Sequence, residues 1–252
     1  MFWKLCKFEW KSSYRMYGMF YAILLICSVL IGMSSLPDVN LPGLVEFLIN
    51  LTIIIYTAGI FAVNIITIVF IFRNYIKTMY RRQSYLTHTL PVTTWQIQTV
   101  KVLFAMLWIF LTFAVTIATV WIMMIVSGVN VLSDVVDAMV YAWQHIPNHT
   151  ELILGLVWTL LEMIESISIV YFVINFVHTT YIQRYRAAIG IGAALIIFIV
   201  ESICNNYVSK ILSLMNVSYS LMVPIFILIG IILVGFWNYA SVYLIEHKME
   251  VE

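Results

Sequence analysis

The chain has 252 residues, of which 63% are hydrophobic and only 10% charged, with a net charge of +1. A soluble domain carries about 25% charged residues, so this composition excludes one and defines a membrane protein. The net charge says little, because the placement of Lys and Arg along the chain is what orients membrane helices.

Residues 1–15 come first. Lys4, Lys7, Lys11 and Arg15 recur at helical spacing among Phe2, Trp3, Leu5, Phe8 and Trp10. That pattern suits an interfacial helix along the inner leaflet, and equally a basic flank of the first span. No A-x-A-like site follows the first apolar run, so no cleaved signal peptide is expected. A bilayer core is crossed by about 20 apolar residues in a helix. Six such runs occur, at about 16–35, 47–72, 98–127, 152–178, 187–206 and 221–245. The third has no charge between Val102 and Val126; the fifth is short and ends beside Glu201.

Between the second and third runs lies RRQSYLTHTLPVTTWQIQTVK, Arg81 to Lys101. Its second half reads as a helix start, with Thr93 as N-cap, Gln96 completing a capping box, and Val92 and Ile97 as a hydrophobic staple. Pro91 turns Leu90 away from helix. Residues 131–146 place Leu132, Val135, Val136, Met139, Val140 and Trp143 on one face and Asp134 and Asp137 off it. They predict an amphipathic outer helix, either a packing element or a lid.

Glu162 and Glu165 fall near the middle of the fourth run, three residues apart and therefore on one helix face. A charge at that depth costs about 2.5–3.5 kcal/mol on insertion scales, so these groups should face protein or water. Two readings stay open: a polar site for transport or protons, and hydrogen-bonded carboxyls that hold helices together. Glu201 reads as a residue reaching interfacial water. Asn64, Asn175 and Asn238 read as hydrogen-bond glue between helices. In the fifth run Ala188, Gly192, Gly190 and Ala194 have a spacing that permits close helix contact, within the chain or between subunits.

Placing both termini in the cytoplasm puts twelve basic residues inside: Lys4, Lys7, Lys11, Arg15, Arg73, Lys77, Arg81, Arg82, Lys101, Arg184, Arg186 and Lys248. Only Lys210 of the thirteen is left outside. Asp38, Glu46, Asp134, Asp137 and Glu151 fall on the outer side. The expectation is an all-α integral membrane protein: six transmembrane helices and cytoplasmic termini in a single domain, residues 1–252. The segment 77–95 is then a structured cytoplasmic corner. Tyr85, Leu86 and Leu90 are more apolar than a solvated loop requires, which suggests a docking partner.

With its six spans and basic N-terminal segment, this corner resembles the membrane subunits of type-2 exporters of the ATP-binding-cassette superfamily. Bacterial members often carry a Tyr-Leu, a Thr-Leu-Pro and then a Lys entering the third helix, here Tyr85-Leu86, Thr89-Leu90-Pro91 and Lys101. The hydropathic layout covers nearly the whole chain, the sequence likeness only about residues 80–105. The resemblance implies a coupling helix formed by Tyr85, Leu86, Thr87, His88, Thr89, Leu90 and Pro91 that docks on a separate ATPase subunit. It also implies a second permease subunit, identical or related, and a bacterial cytoplasmic membrane.

The chain has no G-x-x-x-x-G-K-[ST] motif, so ATP and Mg would be bound by the partner and not here. It has neither H-E-x-x-H nor G-x-S-x-G, and its three cysteines show no metal spacing. Neither enzymatic activity, a metal, a cofactor in this chain nor a nucleic-acid partner is expected. An amphipathic peptide or drug is the expected cargo. The alternatives are an ion- or proton-coupled carrier using Glu162 and Glu165, and a membrane scaffold or sensor.

Overall fold

A computed structural model describes residues 2–34, 43–80, 92–127, 131–145, 148–179 and 184–248. Among them the elements are α1 (Phe2–Ser34), α2 (Gly43–Met79), α3 (Thr94–Val126), α4 (Val131–His145), α5 (His149–Val177), α6 (Arg186–Leu214) and α7 (Tyr219–Lys248). All except α4 are long and apolar enough to cross a membrane. The protein is thus an all-α, multi-pass membrane protein whose spans fall on the six apolar runs.

Helices outlast hydropathy at several ends. α2 reaches Met79, and α6 continues past Asn205 and Asn206 to Leu214. A 29-residue helix spans about 43 Å, longer than the hydrocarbon core of about 30 Å, so polar residues at its ends stay helical in the headgroup region. Hydroxyls inside the spans bond their own helix: Thr67 to the Val63 carbonyl and Thr112 to that of Trp108, each at 2.8 Å. A backbone acceptor one turn back makes threonine tolerable where no water is present. α6 stops in a Schellman motif. Asn216 takes φ 54, its N–H bonds to the Ser213 carbonyl, and the Val217 N–H bonds to that of Leu212.

The chain divides into two compact units, one of Trp3–Ile71 and Leu107–Pro147, the other of Met1–Phe2, Phe72–Met106 and Asn148–Glu252. In the first, Leu24 and Ile31 of α1 pack with Tyr56 and Val63 of α2. Gly32 lies so close to α3 that a Cβ there would sit 2.7 Å from Val126 Cβ and 2.9 Å from the Met123 carbonyl. Tyr17 stacks on Trp108 with centroids 4.0 Å apart, and the Tyr21 hydroxyl meets Thr112 Oγ1 at 2.7 Å.

One expectation changes within this unit. The N-terminal segment is no separate interfacial element but the start of α1, unbroken into the first span. Leu5, Glu9, Ser13 and Tyr17 form a buried stripe at a spacing of four, while Lys7, Lys11 and Arg15 remain exposed. Packing against protein claims one face of the segment, leaving its basic face outward. α4 forms where its periodicity predicts, with Val136, Met139, Val140 and Trp143 exposed.

In the second unit Ile169, Val173 and Val177 of α5 form a core with Ala193, Ala194, Ile197 and Phe198 of α6 and Trp237 of α7. Gly190 belongs to this contact, because its Cβ would lie 3.3 Å from Val177 Cγ2. The small-residue stripe of α6 is therefore divided: Gly190 and Ala194 serve packing inside the chain, whereas Ala188 is exposed and Gly192 faces open space.

Candidate functional site

The second unit contains two polar regions, both built on α5. The first lies where α2 ends, α3 begins and α5 ends. Tyr75 Oη is 2.8 Å from Gln98 Oε1 and 2.9 Å from Asn175 Oδ1, and the Tyr80 hydroxyl donates to the same Asn175 oxygen at 2.7 Å. A tyrosine has one hydroxyl hydrogen, so Tyr75 cannot donate twice. With the Gln98 amide turned to donate its N–H to the Tyr75 oxygen, Tyr75 donates to Asn175 and both bonds are satisfied. Tyr75 also stacks on Tyr171 at 4.0 Å, and Tyr80 on His178 at 4.2 Å.

Beside them Lys101 Nζ donates to Thr78 Oγ1 at 2.6 Å. Burial, and then the neighbouring Tyr75, push the Tyr80 hydroxyl far above its usual value, so it remains a neutral donor at physiological pH. This network ties three helices together, and Asn175 Nδ2 is left without an acceptor among the described residues. Thr93 sits at the foot of it and caps α3, its Oγ1 accepting from the Gln96 N–H at 3.4 Å.

The second region is a cleft of about 620 Å³ between α5, α6 and α7. Glu162 and Glu165 enter it from α5 and Glu201 from α6, with Ser202, Asn205 and Asn206 beyond. Each glutamate is near the middle of its helix: Glu201 is fifteen residues past Arg186 and thirteen before Leu214. Because α6 outlasts its hydropathic run, Glu201 lies near the middle of its helix and lines the same cleft as the other two.

Glu165 is 6% exposed, and its Oε1 has no donor among the described residues. No Lys, Arg or His lines the cleft, and α7 contributes only apolar residues and Gly230. A Cβ at Gly230 would stand 4.0 Å from Glu165 Oε2. Trp158 and Phe226 form an aromatic wall, their centroids 5.5 Å apart. Three carboxyls line one cleft with no basic partner among its lining residues, so the arrangement suits a positively charged occupant. No group of three or more His, Cys, Asp or Glu among the described residues has the geometry to hold a metal ion.

Of the residues singled out in the sequence, Glu162 and Glu165 meet in this cleft. Tyr85, Leu86, Thr87, His88, Thr89, Leu90 and Pro91 lie outside the described residues. Asn175 bridges helices, and Asn238 does so too, donating to Ser168 Oγ at 2.9 Å. Asn64 bonds only its own Ile60 carbonyl, at 2.8 Å. Glu201 was detectable: Glu201, Asn205 and Ser209, with Ser202 and Asn206, repeat at i, i+4 and i+8, the stripe of a helix that keeps one polar face. No protein-family model matches the chain, and no curated protein or solved structure matches it significantly.

Proposed function

We propose that this chain is the membrane subunit of an ATP-driven exporter in a bacterial cytoplasmic membrane, paired with a second permease subunit and served by a separate ATPase that binds ATP and Mg. The observation that carries the reading is the construction on either side of the 80–92 connection. α2 ends and α3 begins in a network that ties both to α5 through Tyr75, Tyr80, Gln98 and Asn175. A coupling segment must transmit displacement to several helices together, and a hydrogen-bonded base moves as a unit where a frayed loop would absorb the motion. The Tyr-Leu and Thr-Leu-Pro residues of the connection and the cytoplasmic bias of Lys and Arg point the same way.

The test is purification of the tagged chain from its native membrane in mild detergent, with mass spectrometry of what accompanies it. An ATP-binding-cassette ATPase should co-purify with the parent and be lost from a folded Tyr85→Ala, Leu86→Ala, Leu90→Ala variant. Absence of any ATPase after mild crosslinking sinks the reading. An ion- or proton-coupled carrier is the second reading, favoured by three carboxyls meeting without a basic partner in the cleft. It requires transport driven by an ion gradient with no ATPase present.

A further inference from the structure

The cleft is larger than a shared proton needs. Its volume of about 620 Å³ falls within the roughly 300–1,000 Å³ typical of small-molecule sites, with acidic groups at one part and aromatic rings at another. Glu165 lines that space with its side chain buried, and its Oε1 has no donor among the described residues. A buried acceptor left unpaired costs about 1–3 kcal/mol, more when charged, and an incoming N–H would remove that cost.

We propose that the cleft binds a lipophilic organic amine, whose ammonium donates to Glu165 and shares its charge with Glu162 and Glu201. The apolar body lies against Trp158, Phe198 and Phe226, where aromatic faces favour both hydrocarbon and neighbouring positive charge. A metal ion is the poorer occupant, since no set of three ligands among the described residues has the geometry to hold one. Anions are excluded by the absence of any basic lining residue. The cleft runs from mid-helix toward the end where α5 begins, α6 ends and α7 begins, so a ligand enters from that end. Binding needs no ATPase, so this inference stands or falls apart from the exporter reading.

The test uses the full chain in nanodiscs of zwitterionic lipid, titrated calorimetrically with 3,3-diphenylpropylamine against empty discs. The controls are 3,3-diphenylpropanol, which keeps the rings and lacks the charge, and the N,N,N-trimethyl derivative, which keeps the charge and lacks the N–H. Saturable binding of one amine per chain is expected, with the alcohol and Glu165→Gln each weaker by about tenfold or more, as for loss of one partner in a desolvated charged pair. Glu162→Gln and Glu201→Gln should weaken it less, and the trimethyl derivative should fall between amine and alcohol. Gly230→Leu, which fills the space beside Glu165 without touching a charge, should also abolish binding, so the result does not hang on one variant. The proposal is overturned if the parent shows no saturable binding, if the alcohol binds as well as the amine, or if Glu165→Gln and Gly230→Leu both leave the affinity unchanged.

Discussion

The tyrosine–amide network and the carboxyl cleft share α5, yet they surround their buried polar groups differently. At the end of the helix, Asn175 accepts from two tyrosines and the neighbouring side chains stack or bond around them. At its middle, Glu165 is nearly as buried, has an oxygen with no donor among the described residues, and lines an open cleft. Asn175 Nδ2 also lacks an acceptor among the described residues, so the difference lies in the surroundings: bonds between helices enclose Asn175, whereas Glu165 lines a cleft with room for a ligand. The comparison separates a structural region from a candidate binding region on one helix.

The comparison is broken most directly by Asn175→Leu. It leaves the Tyr75 and Tyr80 hydroxyls without their acceptor and should cost about 2–4 kcal/mol in equilibrium unfolding in mixed micelles. A loss under about 0.5 kcal/mol would mean the network is decorative. Tyr75→Phe removes one link and should cost about 1–2 kcal/mol by the same measurement.

Alkaline titration sharpens the contrast. Tyr80 has a folded pKa raised above its ordinary value of 10, so its contribution to stability is fully present below that pH and is lost above it. Between pH 10 and 11 the parent should lose about 1 kcal/mol that Tyr80→Phe does not lose, because over that range the unfolded chain releases a proton the folded chain keeps. Equal losses would place the Tyr80 hydroxyl in water.

Thr93→Ala removes the cap beneath the network and should cost about 1 kcal/mol. The smallest effect belongs to the cleft: Glu165→Gln should change stability by less than about 0.5 kcal/mol or raise it, because the amide keeps the shape of a carboxyl whose Oε1 has no donor among the described residues. A loss above about 2 kcal/mol would show that the cleft is closed by a carboxyl hydrogen bond and is structural after all.

Much of the architecture was legible in the chain because a bilayer imposes it. Lipid offers no hydrogen bonds, so any segment that crosses must be helical and apolar over about 20 residues, and the six runs declare themselves. The amphipathic α4 and the cap at Thr93 are local patterns and were equally readable. Glu162 and Glu165 were recognisable as a pair because three residues bring side chains to one helix face.

What the sequence alone could not supply is which polar residues meet across helices and which remain unsatisfied. Asn175 and Glu165 look alike as isolated polar residues in an apolar span; the packing of α2 and α3 pairs the first, and the gap between α5, α6 and α7 leaves the second open. Glu201 joined the cleft only because α6 runs on to Leu214, and Gly190 turned inward only because Val177 lies against it. Hydropathy is a sum over neighbours in the chain, while satisfaction of a buried polar atom depends on neighbours in space, and only the tertiary structure brings those together.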